Sequence, residues 1–186
     1  MACFFGFGSL VNTGTHRYDP VTPASVKGWK RAWANDECYE HAFLSVIPDT
    51  NSQIQGLMAQ VPNDNWIELD AREVGYTRRP LNDHEWMAET SPKLTIQSKP
   101  DDVQMYVLEG GELAQAAKPI LWSYVETVLF GYHQWFGPEG VQAFIDSTVA
   151  WTDIVDDRNN PIYPRYVPAE GSAVDIVIPA IHRLMR

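Results

Sequence analysis

The segment ACFFGFGSL, residues 2–10, is the most informative stretch of this sequence. Cys3 to Phe7 is a short apolar and aromatic run, which is typical of a buried strand. Gly8 and Ser9 end the run, because both residues favour turns. A strand that ends in this way can direct successive backbone N–H groups outward together, and such a nest binds an anion or a developing oxyanion. An ordinary strand-to-loop turn is the alternative interpretation.

Further strand-like segments occupy much of the first 110 residues. Residues 16–24 contain Pro20 and Pro23 and predict a loop. We expect Pro48-Asp49 and Pro62 to end strands, because proline removes a donor from the ladder. The predicted strands are Val26–Ala34, Phe43–Ile47, Gln53–Val61, Leu94–Gln97 and Val103–Leu108.

A short helix is predicted between these strands. Asp64 is a suitable N-cap residue, and Gly75 is a suitable residue to end the helix. Trp66, Leu69 and Glu73 have the spacing that places side chains on one helical face. The helix should therefore bring Glu73 close to the strands that precede it.

The C-terminal part of the chain is richer in helix signals. Pro119 to Phe136 carries a broad apolar stripe, which we expect to be core. A Gly-Pro pair interrupts this pattern, and the proline suits the first turn of a second helix, 138–146. Residues 158–168 are rich in proline and tyrosine and predict a loop. The last apolar segment, 174–185, contains Pro179, and its pattern fits helix, strand or both.

Strands followed by packed helices indicate an α+β fold, a small mixed β-barrel or sheet with helices against it. We expect a single domain over residues 1–186, strand-rich in 1–110 and helix-rich in 111–186. The sequence contains neither GxGxxG nor GxxxxGK[ST], so it gives no support for a nucleotide cofactor.

Composition narrows the range of partners. Asp and Glu number 24 against 14 Lys and Arg, giving a net charge of −10. This charge repels nucleic acid and anionic lipid, so we expect neither a nucleic-acid nor a membrane partner. The first residues lack the basic region with which a signal peptide begins, so we expect no signal peptide. No window approaches about 18 consecutive apolar residues, so we expect no membrane span. Two cysteines, Cys3 and Cys38, do not make a disulfide framework. We therefore expect a cytoplasmic protein.

Glu73 has two interpretations. On the face of Trp66 and Leu69 it would point inward, where apolar surroundings raise the pKa of a carboxyl group and make it a better general base. Alternatively, it forms a surface ion pair with Arg72, Arg78 or Arg79, as many glutamates beside arginines do.

Read together, four segments resemble the γ-glutamylcyclotransferase-like superfamily. Their order and approximate spacing agree over roughly the first 80 residues, and the Leu at the end of the first segment is nearer to the ChaC-type branch. Lys30 stands where Arg is more usual. The segments are Phe7-Gly8-Ser9-Leu10, Gly28-Trp29-Lys30-Arg31, Gly56-Leu57-Met58-Ala59 and Leu69-Asp70-Ala71-Arg72-Glu73, the last followed by Gly75-Tyr76.

The resemblance implies a specific reaction. The α-amine of a γ-glutamyl group attacks its own γ-carbonyl, and 5-oxoproline forms with release of an amine or peptide. Glutathione, which would release Cys-Gly, is one candidate substrate. Glu73 would be the catalytic base, and no metal or other cofactor is needed. The partner would be a small-molecule γ-glutamyl substrate, held at Phe7, Gly8, Ser9 and Leu10. Tyr76, three residues after Glu73, is a further substrate-binding candidate: it either hydrogen-bonds the substrate or orients the carboxylate, or else packs in the core.

Two alternatives keep the fold. One is a ligand-binding domain without catalysis, and the other is a cyclase for γ-glutamyl amines or γ-glutamylated biosynthetic intermediates. The sequence indicates neither the oligomeric state nor the leaving group.

Other residues give weaker signals. Ser9 lacks the G-x-S-x-G pattern of a nucleophile elbow, and the Cys38 and His41 pair lacks a third group. The histidines have no zinc spacing, and the Asp153, Asp156 and Asp157 cluster predicts a solvated loop.

Four residues remain open to function. Arg72 and Arg78 either supply positive charge to a substrate carboxylate or are surface residues. Tyr163 and Arg165 lie in the Pro-rich loop, which could cover the site.

Overall fold

The computed structural model describes residues 1–35, 39–89, 100–108, 112–113 and 118–186. The described segments contain ten strands and three α-helices. The strands are β1 (Ala2–Gly6), β2 (Val21–Asn35), β3 (Phe43–Gln60), β4 (Thr77–Pro80), β5 (Trp86–Ala88), β6 (Asp102–Val107), β7 (Glu112–Leu113), β8 (Ile120–Leu121), β9 (Thr148–Val149) and β10 (Ile154–Val155). The helices are α1 (Ile67–Arg72), α2 (Trp122–Asp146) and α3 (Val174–Leu184).

Eight of these described strands form one mixed sheet, which confirms the predicted α+β class. Its order is β4-β6-β1-β3-β2-β5, with β7 and β9 also paired to β2. Strand β1 pairs antiparallel with β3 and parallel with β6, so it lies inside the sheet. All five of its residues are buried, as their apolar sequence predicts. The turn after β1 therefore leaves from a rigid interior strand.

The long hairpin of β2 and β3 corrects two sequence predictions. Strand β2 begins at Val21, because Pro23 pairs with Leu57 inside the ladder, so the predicted loop over 16–24 is too long. Pro48-Asp49 does not end a strand, since β3 continues through it. Gly28 has a φ of +83° at the position where the register shifts, and this bulge accommodates the extra residues of β3.

The helices differ from the predictions mainly at their ends. Asp64 does not cap α1: it accepts a hydrogen bond from the Ala2 backbone at 2.7 Å, and the helix begins at Ile67. Residues 120–121 belong to β8, which pairs with β10, so α2 begins at Trp122 instead of residue 119. The helical pattern is interrupted at Gly137, φ +68°, and continues to Asp146, as predicted. The undecided segment 174–185 is helix α3 over Val174–Leu184.

Buried apolar residues from the sheet and from α2 and α3 form one cluster, in which Cys3 is buried. The predicted strand over residues 94–97 and Cys38 lie outside the described residues. None of the helices described is both long enough and apolar enough to cross a membrane.

Candidate active site

Two adjoining cavities lie at the end of β1. The inner cavity, about 30 Å³, follows the turn and is lined by Phe5, Gly6, Phe7, Gly8, Ser9, Leu10, Leu44, Glu73, Tyr76, Tyr106 and Tyr124. The outer cavity, about 360 Å³, lies between α1 and the loop after β10. Four residues line both cavities: Ser9, Glu73, Tyr76 and Tyr124. The sequence placed the first three of these in one site, and the structure brings them together.

The turn itself is a single 3-10 turn over Ser9–Val11. The Val11 N–H donates to the Gly8 oxygen at 3.0 Å. The N–H groups of Ser9 and Leu10, at the start of the turn, have no acceptor within it. The side chains of Phe7 and Leu10 are buried in the core, so these two residues offer their backbone to the cavity.

The turn has no room for a side chain at its glycines. A Cβ at Gly8 would lie 2.7 Å from the Tyr124 hydroxyl and 3.3 Å from a Leu44 methyl carbon. A Cβ at Gly6 would lie 2.5 Å from the Leu10 Cβ. Glycine is therefore required here for close approach.

The Arg31 side chain holds the residue that follows strand β1, Phe7, in place through hydrogen bonds. The sequence analysis did not assign Arg31 this role. Its guanidinium is fully buried and donates to the backbone oxygens of Phe7, at 3.1 Å, and of Gln55. It also donates to the Tyr132 hydroxyl at 2.6 Å and to the Ser147 hydroxyl at 2.8 Å. Strand alternation carried the missing signal, because residues 29, 31 and 33 share one face of β2 and Arg31 therefore lies between two bulky tryptophans.

Glu73 lies immediately after α1 and is tied to the turn through Arg72. The Arg72 Nε donates to Glu73 Oε1 at 2.8 Å, and the two terminal nitrogens donate to the backbone and hydroxyl oxygens of Thr15, at 2.8 and 3.1 Å. The Thr15 hydroxyl in turn donates to the Ser9 backbone oxygen at 3.0 Å. Thr15 is a second residue that the sequence did not indicate.

Glu73 is both an ion-pair partner and a mostly buried carboxylate, so each of the two interpretations of its sequence is partly correct. The side chain forms the ion pair with Arg72, yet only 17% of it is exposed, and it lies in the cavity. Burial raises the pKa of Glu73 above its usual value, while the charges of Arg72 and Arg165 act against this rise. Among the described residues, none donates to Oε2, so this oxygen faces the cavity without a fixed partner.

Three tyrosines surround the carboxylate and the turn. The Tyr76 hydroxyl donates to the Leu44 backbone oxygen at 2.9 Å. Burial raises the pKa of Tyr124 well above its usual range, although the Ser9 backbone hydrogen-bonds to its hydroxyl. Tyr163 packs edge-on against Tyr124, with 5.0 Å between ring centroids. Tyr124 belongs to the stripe that we predicted to be core; it packs against the core, and it also lines both cavities, which that prediction does not include.

The remaining candidates separate into two groups. Arg72, Tyr163 and Arg165 line the outer cavity, as does His41, whose suggested partner Cys38 lies outside the described residues. Arg78 lines neither cavity. It pairs with Asp70 at 2.8 Å and lies over the Trp66 ring.

Asp153 and Asp156 are exposed, as predicted for a solvated acidic loop, but Asp157 is not. It is buried and accepts hydrogen bonds from the backbone and hydroxyl of Ser123 and from the Ile162 backbone. Within the described part of the chain, no three His, Cys, Asp or Glu side chains come together as a metal site requires.

Comparison with known proteins gives matches in structure only. No protein-family model and no curated protein matches the sequence. The structure of YkqA from Bacillus subtilis matches with a TM-score of 0.59 and 14% identity, over 78% of this chain and 53% of that one. A γ-glutamyl cyclotransferase matches with a TM-score of 0.55 and 13% identity, over 95% and 97% of the two chains. An uncharacterized protein from Homo sapiens matches with a TM-score of 0.56 and 14% identity, over the same shares.

These matches define the fold. The chain has the γ-glutamyl cyclotransferase fold, and the resemblance found in the sequence is confirmed at that level. It spans about half the length of the YkqA chain and nearly all of the γ-glutamyl cyclotransferase. At sequence identities this low, a shared fold does not show that two proteins act on the same substrate. The closer similarity to the ChaC-type branch stays a prediction.

Proposed function

We propose that this protein is a γ-glutamylcyclotransferase that converts a γ-glutamyl amide into 5-oxoproline and a free amine or peptide. One observation carries the proposal: a mostly buried carboxylate with a raised pKa, Glu73, lines the same small cavity as the Gly8-Ser9 turn. The solved γ-glutamyl cyclotransferase of the same fold supports the reaction class.

The chemistry needs a folded substrate and one proton carrier. Glu73 removes a proton from the α-ammonium group, and the neutral amine attacks the γ-carbonyl carbon. A C–N bond forms within the substrate and the original amide C–N bond breaks as the proton on Glu73 passes to the leaving nitrogen. The attacking nitrogen gives up its second proton as the lactam forms, and Glu73 passes this proton to the released amine, which leaves as an ammonium group. Because nucleophile and electrophile belong to one molecule, a correctly held conformer is worth on the order of 7–11 kcal/mol.

The turn supplies the complementary electrostatics. The Leu10 N–H at the start of the 3-10 turn and the neighbouring Tyr124 hydroxyl are the donors for substrate oxygens in the inner cavity, and the Ser9 N–H already donates to that hydroxyl. Tyr76 and Leu44 both line this cavity, and the hydrogen bond from the Tyr76 hydroxyl to the Leu44 backbone oxygen joins them. Phe7 and Leu10 take part through their backbone. The raised pKa makes Glu73 a better base than an exposed glutamate.

The test is release of 5-oxoproline from a panel of γ-glutamyl compounds, with glutathione included. Wild-type turnover of at least one member supports the proposal, and the best member names the leaving group. If only γ-glutamyl amines or a γ-glutamylated biosynthetic intermediate are turned over, the protein is instead a cyclase for those compounds. If compounds of the panel bind but none is turned over, the result supports the ligand-binding alternative and contradicts catalysis.

A further inference from the structure

The outer cavity has the size and position of a leaving-group site, and the argument for this rests on the proposed reaction. About 30 Å³ in the inner cavity admits only one or a few small groups, such as substrate oxygens. The outer cavity, at about 360 Å³, has the volume of a small-molecule site. Glu73 lies between them. The group attached to the leaving nitrogen must therefore extend into the outer cavity.

Arg165 is the cation in that cavity whose hydrogen-bonding capacity is open. Among the described residues, none accepts a hydrogen bond from Arg165 and none pairs with it as a carboxylate. Its charge is close enough to act on Glu73 and Tyr163. Arg72, in contrast, is already bonded to Glu73 and Thr15. A guanidinium with free donors is suited to bind a carboxylate with two parallel hydrogen bonds.

The loop that carries Arg165 is held firmly against α2. The Ile162 and Tyr163 backbones donate to Asp157 and to the Ser123 hydroxyl, at 2.9 and 3.3 Å. Further along, two more backbone N–H groups donate to α2 side chains at 3.0 and 2.9 Å, those of Val167 to Thr127 and of Ala169 to Glu126. The backbone on both sides of Arg165 is thus held before a ligand binds, which lowers the entropic cost of ordering the loop on binding.

The rest of the wall is mainly apolar and aromatic. Tyr39 and Phe43 pack edge-on with ring centroids 4.5 Å apart, and Leu121 and Ile162 lie in the same wall. Glu40, an exposed carboxylate, also lines this cavity. The cavity therefore suits a group with an apolar body and a carboxylate that reaches Arg165.

We propose that Arg165 is a specificity-determining residue that binds a carboxylate on the leaving group. The preferred substrates are then γ-glutamyl conjugates of amino acids or short peptides with apolar or aromatic side chains. γ-Glutamyl conjugates of plain amines lack the group that Arg165 binds.

A matched pair of compounds tests this assignment: γ-glutamyl-phenylalanine and γ-glutamyl-phenethylamine, which differ by the leaving group's carboxylate alone. We expect Arg165→Gln to lower kcat/KM for the first compound by about 10- to 100-fold, the usual effect of losing a charged hydrogen-bonded partner. The second compound should change by less than about threefold. Arg165→Lys, which keeps the charge but not the fork, should fall between. Arg158→Gln, which removes an exposed pair with Asp156, is the control and should change neither.

An equal loss with both compounds would overturn the inference, because Arg165 would then act on the γ-glutamyl part or on the fold. No loss with either would overturn it as well. Dissociation constants for both compounds, measured with Glu73→Gln and with Glu73→Gln/Arg165→Gln, separate this inference from the proposed function. Absence of 5-oxoproline from the wild type refutes the reaction, while a carboxylate preference in binding that needs Arg165 still supports the site.

Discussion

Replacing Arg31 with methionine should loosen the turn without touching the cavity. The guanidinium is 1% exposed and donates four hydrogen bonds, two of them to the backbone oxygens of Phe7 and Gln55. The Tyr132 hydroxyl lies 3.0 and 2.8 Å from the same two oxygens. Its single proton can serve only one of them. Methionine fills the space of the aliphatic stem and leaves the other oxygen without a donor.

The free-energy change follows from these contacts. One buried carbonyl without a donor costs about 1–3 kcal/mol. The guanidinium also lies over the Tyr132 and Phe144 rings, at 5.1 and 4.9 Å from their centroids, and this contact adds about 0.5–2 kcal/mol. Removing a buried charge offsets part of the loss. We expect a net loss of about 2 kcal/mol, or about 4–8 °C in Tm for a chain of this length.

Two assays on the Arg31→Met variant check the reasoning. Urea unfolding should show the stability loss, and kcat should fall by about 100-fold because the turn no longer holds its position. Lys30→Met is the matched control: Lys30 precedes Arg31 on the strand, is partly exposed and contacts Asp49 only at 4.0 Å. It should change stability by less than about 0.5 kcal/mol. An Arg31→Met variant with the stability and kcat of the Lys30→Met control would refute the role of Arg31.

Two further variants test the turn. Gly8→Ala places a Cβ 2.7 Å from the Tyr124 hydroxyl and should lower kcat/KM by about 100-fold. Adding Tyr124→Phe should restore part of the lost stability but not the activity, because the same hydroxyl is a proposed donor to the substrate. A Gly8→Ala enzyme with full activity would contradict the close packing. His16 accepts a hydrogen bond from the Tyr18 backbone and donates to the Leu10 oxygen at 3.0 Å, and burial lowers its pKa to about 4. Between about pH 6.5 and 4 the unfolded chain binds a proton at His16 that the folded chain does not. As the pH is lowered through this range, the free energy of unfolding of the wild type should therefore decrease by up to about 3 kcal/mol more than that of His16→Gln. The same pH dependence of the free energy of unfolding in wild type and His16→Gln would rule this out.

Local sequence patterns were sufficient for the segments nearest the chemistry. The run that ends at Gly8-Ser9 predicted a turn, and the 66–73 spacing predicted an inward carboxylate. The structure brings both into one cavity, although Trp66 and Glu73 flank α1 and do not lie within it. Both predictions depend on short-range periodicity and turn preference, which a single sequence displays directly.

The missed residues act through contacts that are distant in the sequence. Tyr124 has the spacing of a core residue on α2, and only the packing of α2 against the turn shows that its hydroxyl reaches the cavity. Asp157 is acidic and lies among other acidic residues, so its burial follows only from the position of the α2 N-terminus. Pro48-Asp49 predicts a strand end from local preference alone, but β3 continues through it, because the partner strand has a bulge at Gly28 that the sequence around Pro48 does not indicate.

The central claim is that Glu73 carries the proton in a cyclisation at the Gly8-Ser9 turn. The most direct test measures 5-oxoproline release and ligand affinity together for wild type, Glu73→Gln and Glu68→Gln, a matched change at an exposed glutamate of α1. We predict that Glu73→Gln loses at least 100-fold in kcat, within the usual range for an acid–base residue, and keeps its affinity for the substrate. Glu68→Gln should resemble the wild type. A Glu73→Gln variant that still releases 5-oxoproline at the wild-type rate would contradict the mechanism.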